Sequence, residues 1–151
     1  MDTSYAYRSF RPRAARVVSA VFALLFLGGA VALVVLLPQV AAGRDSWGDR
    51  VGILAFALLV VWFLVRQAGV RADPDDDGLT VRNLVQTRKV AWTQVVSVRF
   101  GGGRPWVQLD LDDGETLAVM AVQQADGAFA MNEARRLSTL VALHSVTPRD
   151  D

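Results

Sequence analysis

Two long apolar runs occupy most of the first 70 residues, with a short charged stretch between them. Val17–Val40 is 24 residues without a charge, rich in Val, Leu, Ala and Phe. A helix rises about 1.5 Å per residue, so about 20 such residues cross a bilayer core about 30 Å thick. The second run, Val51–Val65, has 15 uncharged residues between Arg50 and Arg66. That length covers only about 22 Å. Either the flanking arginines snorkel or the helix extends to about Val70. Trp47 and Trp62 sit near its two ends, where indole rings favour the interface. The rival reading for both runs is a pair of buried helices in a soluble core.

The arginines set the expected topology. Residues 1–72 carry eight arginines against three aspartates, a net of +5, whereas residues 73–151 carry eight cations against twelve acids, a net of −4. Arg8, Arg11, Arg13 and Arg16 precede the first run, and Arg66 and Arg71 follow the second. Arg44 and Arg50 between them are balanced by Asp45 and Asp49. Positive residues favour the cytoplasmic side, so both termini are expected there. A cleaved signal peptide ending near Val40-Ala41-Ala42 would need an apolar region well beyond the usual ~7–15 residues. The acidic C-terminal half lacks the clustered basic face that nucleic acid requires. Cysteine is absent, which excludes disulfides, thiolate metal sites and a Cys nucleophile.

Beyond Asp73-Pro74-Asp75-Asp76-Asp77-Gly78 the hydrophobic period becomes two, the pattern of half-buried strands. Leu79 and Val81, continuing to Leu84 or Val85, suggest one strand, and Val90 and Trp92 end a second. Val96, Val98 and Phe100 alternate with Ser97 and Arg99, and Val107, Leu109 and Leu111 with Gln108 and Asp110. Asp112-Asp113-Gly114 reads as a hairpin turn leading into Leu117, Val119 and Ala121. Gln67–Ala72 is expected to supply a first strand continuous with the second run. From Asp126, an expected N-cap, Phe129, Ala130, Glu133, Ala134, Leu137, Leu140, Val141 and His144 recur at helical steps. Pro148 lies beyond the helix end. The expected class is α+β: two membrane helices, then five or six antiparallel strands closed by one C-terminal helix.

Gly78-Leu79-Thr80-Val81-Arg82-Asn83-Leu84, Arg88-Lys89-Val90-Ala91-Trp92, Val95–Phe100 and Asp113-Gly114 carry a resemblance. Together they resemble the small bacterial pleckstrin-homology-like domain, and more narrowly the actinobacterial group often labelled low-molecular-weight protein antigen. Members of that group pair one or two N-terminal membrane helices with such a domain. The resemblance implies a strongly bent sheet closed at one end by the helix, with Trp92 as its most specific residue. It rests on packing residues and speaks for fold more than for function.

No residue set in the sequence forms a catalytic, cofactor or metal site. Asp73, Asp75, Asp77 and Gly78 match the first half of an EF-hand loop, but its twelfth position is Leu84, not the bidentate Glu. Gly101-Gly102-Gly103-Arg104 connects two strands rather than leading into a helix, so it reads as a hairpin, not a phosphate cradle. The loop that binds phosphoinositides in eukaryotic relatives corresponds to Asp73–Gly78 and is acidic here. Arg88, Lys89, Arg99 and Arg104 read as solvated strand positions. His144, the only histidine, reads as a surface or capping residue, and Trp92 and Trp106 as sheet anchors. In the first run, Ser19 and Ala23, then Gly28 and Ala32, are spaced for close helix approach, within the chain or in self-association.

The expected organisation is therefore a basic N-terminus (1–16), a first span (17–40), an external loop (41–50), a second span (51–70), a cytoplasmic PH-like domain (71–147) and a tail (148–151). The expected role is protein interaction or scaffolding at the cytoplasmic face of the cell membrane. The alternative is a lipid- or small-ligand-binding sensor. Expected partners are the bilayer, a membrane or cytoplasmic protein, and a second copy of the chain; neither catalysis nor a cofactor is expected.

Overall fold

The computed structural model describes residues 3–40 and 46–145. Residues 41–45 of the expected external loop, and the 148–151 tail with Pro148, lie outside them. The chain divides into two compact units. One holds residues 15–68; the other joins the chain before residue 15 to the chain after residue 68.

The first unit is helical. Helix α1 (Thr3–Ala6) lies outside it, while α2 (Arg13–Val40) supplies its first long helix and α3 (Trp47–Ala68) its second. Helix α3 starts four residues before the apolar run, because Ser46-Trp47-Gly48-Asp49 forms a reciprocal cap. Ser46 Oγ accepts the Asp49 N–H at 3.2 Å, and the Asp49 carboxylate accepts the Ser46 N–H at 2.9 Å. The resulting 22 residues span about 33 Å, so the length deficit of the 15-residue run disappears. Both helices are long and apolar enough to cross a bilayer. Leu24, Leu25, Leu58 and Leu59 are all exposed, the reverse of a buried core helix. Ser19, Ala30 and Ala57 are the buried positions of these helices among the described residues. Gly28 and Ala32, expected on a close-approach face, are exposed, and a Cβ added at Gly28 meets nothing.

The second unit contains two three-stranded antiparallel sheets. Strands β1 (Arg71–Pro74), β2 (Gly78–Arg82) and β3 (Thr87–Ala91) form one; β4 (Val95–Arg99), β5 (Trp106–Leu111) and β6 (Thr116–Gln123) form the other. A 3-10 turn at Trp92–Gln94 links the sheets, and another at Gln124–Asp126 precedes α4 (Ala128–Ser145). The class is α+β, with six strands among the described residues. The expected strand at Gln67–Ala72 is helical to Ala68 and extended only from Arg71. Trp92 lies in the turn just past β3 rather than ending a strand, and Trp106 opens β5 half-buried.

Alternation places Leu79, Val81, Val90, Val107, Leu109, Leu117 and Val119 in one core. In β4 the alternation departs from expectation. Val95 pairs with Leu111 and Ser97 with Asp110, leaving Val96 unpaired at a bulge. The bulge turns Val95 inward and leaves Val96 67% exposed, because one extra residue reverses side-chain parity. Helix α4 covers the core with Ala130, Ala134, Leu137, Leu140 and Val141, as its spacing predicts. Gly78 is required at the start of β2, since a Cβ there would lie 2.0 Å from the Val90 carbonyl oxygen.

The N-terminal segment folds with this unit. Phe10 is fully buried in the core, and its backbone exchanges hydrogen bonds with Ala72 at 2.8 and 3.0 Å. It thereby adds a single bridge to the outer edge of β1. Burying one such ring stabilises by about 1.5–3 kcal/mol. Residues 3–14, read from sequence as part of a basic N-terminal segment, are a strap on the domain.

Candidate functional site

The charged positions singled out in the sequence lie on hairpins and strands, and most have a local side-chain partner. The Asp75 carboxylate accepts the N–H groups of Asp77 (3.0 Å) and Gly78 (2.8 Å), and Lys89 Nζ at 2.8 Å. The Trp92 indole N–H donates to the Asp75 carbonyl at 2.9 Å. The Lys89 hydrogen bond holds the Asp75 carboxyl below its ordinary value and raises Lys89. Asp73 binds Arg71 instead. The acidic residues thus stabilise a turn, and no three acids converge as metal ligands among the described residues.

The expected basic positions are similarly engaged. Arg88 pairs with Glu115 and lies 3.5 Å from Asp113. Arg99 pairs with Asp110, which also accepts from Ser97 Oγ. The Ser97 hydroxyl first, and then Arg99, hold the Asp110 carboxyl below its ordinary value. Arg104 Nε donates to Gln108 at 3.0 Å, and its backbone N–H closes a turn on the Gly101 carbonyl. Gly101, Gly102 and Gly103 all have positive φ, a backbone that glycine adopts without strain. These residues make a hairpin.

Sequence reasoning missed the centre of the strap. Arg136, 7% exposed, donates through Nη1 to the carbonyls of Tyr5 (3.1 Å), Ala6 (3.0 Å) and Arg8 (2.7 Å). Its Nη2 donates to Glu133, also buried, at 2.6 Å. The guanidinium carbon lies 3.8 Å from the centre of the Phe10 ring. A buried charge needs a partner and satisfied donors, and here the strap's own backbone supplies most of them. The available signal was Glu133, an acid within an otherwise apolar helical stripe.

Three aromatic residues, Tyr7, Trp92 and His144, form a second cluster that ties the strap to α4. The Trp92 and His144 rings stack at 5.2 Å and 10°, and Tyr7 Oη lies 2.8 Å from His144 Nε2. His144 was expected as a surface or capping residue; it is half-buried, its ring between Trp92 of the inter-sheet turn and Tyr7 of the strap. The reason is register: His144 continues the buried face of α4 one turn past Leu140 and Val141. Asp126 also differs from expectation. Its carboxylate accepts the N–H groups of Arg13 (3.0 Å) and Ala14 (2.7 Å), the first residues of α2, rather than capping α4.

Two small antiparallel sheets, a C-terminal helix on their shared core and a buried Trp at the inter-sheet turn accord with the α+β class that the resemblance implied, with two sheets in place of one. The family described as the bacterial PH domain matches residues 68–139. This part of the chain is a bacterial PH domain. An uncharacterised protein of Mycobacterium bovis is 38% identical over 78 residues, 52% of this chain and 51% of that protein. Two uncharacterised proteins from Mycobacterium tuberculosis strains match equally. The chain therefore aligns over about half the length of these relatives. No solved structure matches it. The PH domain here carries its strap, Thr3–Ala14, from before the matched region.

Proposed function

We propose that this chain is a two-span membrane protein that holds its PH domain at the cytoplasmic face, where the domain docks a protein partner. The observation that carries the anchoring is the Phe10–Ala72 bridge. Phe10 precedes the first apolar helix and Ala72 follows the second, yet both build one folded unit. A chain that crosses a bilayer twice returns its two ends to the same side. The exposed apolar faces of α2 and α3 give a reason for the bilayer, and the flanking arginines favour the cytoplasm for the ends.

The docking reading draws on the strand edges. β3 and β4 are each an outer strand of their sheet, and an outer strand offers unpaired backbone groups to an extended partner segment. Val96, exposed on β4, adds an apolar contact. A binding module is favoured over an enzyme, since Asp73, Asp75, Arg88, Lys89, Arg99 and Asp110 are engaged in turns and ion pairs. Headgroup sensing through the Asp75–Asp77 turn is disfavoured, because that turn is acidic and Lys89 is already bound to Asp75.

The chain has no cysteine, so single-cysteine labelling in intact cells reads topology directly. A membrane-impermeant maleimide should label Ser46→Cys and leave Gln124→Cys unlabelled until the membrane is opened. The reverse pattern would overturn the topology. For docking, a photo-crosslinker at Val96 should give one discrete protein adduct in cells, lost when a proline replaces Ser97. An unchanged adduct with that proline would exclude strand addition at this edge.

A further inference from the structure

A row of three arginines crosses the outer face of the first sheet. Arg71 and Arg82 are direct partners across β1 and β2. The antiparallel bridge of Phe10 to Ala72 sets Arg11 opposite Arg71 on the other side. Phe10, Ala72 and Val81, their neighbours in the three segments, are all at most 1% exposed and point into the core. Alternation therefore turns Arg11, Arg71 and Arg82 to the opposite face.

Like charges placed directly across strands repel, and this row has little to offset them. Arg71 binds Asp73 at 2.8 Å. Arg11 and Arg82 are exposed and have no ion-pair partner among the described residues. Elsewhere on the sheets Arg88, Lys89 and Arg99 each hold a carboxylate. Arg8, Arg16 and Arg135 also lack a carboxylate among the described residues, but they lie off the strands; on the strands the cation without one is Arg82, with Arg11 in line with it across Arg71. That row also sits next to the apolar helices in the chain: Arg11 is two residues before α2, and Arg71 is three residues after α3. Three residues reach at most about 11 Å.

We propose that Arg11, Arg71 and Arg82 form a binding row for the phosphate headgroups of anionic lipid. The inference rests on the two-span reading and goes beyond it: the domain would be held by its lipid surroundings as well as by its covalent anchor. Guanidinium forks match phosphate oxygens in pairs. Covalent attachment beside the spans keeps those headgroups at high effective concentration, and an anionic leaflet attracts nearby arginines. This favours a lipid occupant over an acidic protein, which would have to find the row by diffusion.

The test uses the full chain with a fluorophore on Thr87→Cys, the residue across β3 from Arg82. The protein is reconstituted into vesicles of phosphatidylcholine, alone or mixed with phosphatidylglycerol, containing a headgroup-labelled acceptor. Energy transfer should rise with phosphatidylglycerol and fall with added salt. Arg11→Gln with Arg82→Gln should weaken the lipid response about fivefold per arginine, Asp73→Asn should strengthen it, and the two lysine substitutions should keep most of it. Equal transfer in both vesicles, or a double Gln variant that responds like the parent, would overturn the proposal. So would saturable binding of a soluble poly-glutamate peptide at these residues without any response to lipid charge. Release of the chain by alkaline carbonate would remove the two-span reading and this inference with it. An anchored chain indifferent to lipid charge would remove this inference alone.

Discussion

The carboxylate of Asp126 accepts the backbone N–H of Ala14 at 2.7 Å, across 112 residues of sequence. One acid between β6 and α4 therefore caps the helix that begins the first apolar run, and it holds the neighbouring Arg13 N–H as well. Both groups are donors that a helix N-terminus leaves unpaired.

Asp126→Ala should lower the stability of the strapped domain by about 0.5–2 kcal/mol, the usual range for a lost cap. Asp126→Asn should recover most of it, since an amide oxygen still accepts. Denaturant unfolding of the full chain in detergent, followed by the domain's tryptophan signal, measures both. Equal stability of the Ala variant and the parent would remove the cap from the account.

Removal of Arg136 should be severe. It leaves Glu133 buried without its partner, a change that costs about 3–5 kcal/mol, and frees three strap carbonyls. Arg136→Ala should therefore make residues 3–12 the first site of limited proteolysis. Glu133→Gln, which keeps a hydrogen-bond acceptor, should leave the strap protected. Cleavage of the strap at the parental rate in Arg136→Ala would show that the guanidinium does not hold it.

Trp92 is 2% exposed, stacks on His144 and donates its N–H to Asp75. Trp92→Ala should cost about 3–5 kcal/mol. Trp92→Phe should cost less, because a ring remains although the Asp75 carbonyl loses its donor. A melting temperature unchanged by the alanine substitution would contradict its place as a core anchor.

Acid should loosen the hairpins. The carboxyls of Asp75 and Asp110 are held below the ordinary value of 3.8. Groups lowered in the folded state contribute stability that is complete above that value and is lost as pH falls through their folded values. The domain should thus hold constant stability from neutral pH down to the ordinary carboxylate range and lose it below. Asp110→Asn should flatten that acid limb. At the opposite end, Lys89 is raised above 10.5, so its contribution is present below that value and fades as pH climbs past it. A pH series of unfolding midpoints for parent, Asp110→Asn and Lys89→Gln tests both limbs.

Local patterning alone determined the two apolar helices, the strands and the buried stripe of α4. In each case the signal is a period: continuous for an apolar helix, two for Leu79–Val81 or Val107–Leu111, and three to four for Ala130–Val141. Such periods record which face meets apolar surroundings, and that preference is written residue by residue. Tertiary structure decided what no period encodes. The bulge at Val96 reverses parity in one step, and nothing in a run of valines marks where the extra residue falls. Asp126 looks like a cap for the helix beside it, yet its carboxylate reaches a different helix, because a cap is defined by the nearest unpaired N–H in space. Arg11, Arg71 and Arg82 are scattered in sequence and become a row only when the strap and two strands align in register. Phe10 was hidden among arginines that read as a flanking segment, and its burial depends on an edge of β1 that exists only after the chain has passed both apolar helices. These are long-range contacts, whose partners are chosen by the fold rather than by their neighbours.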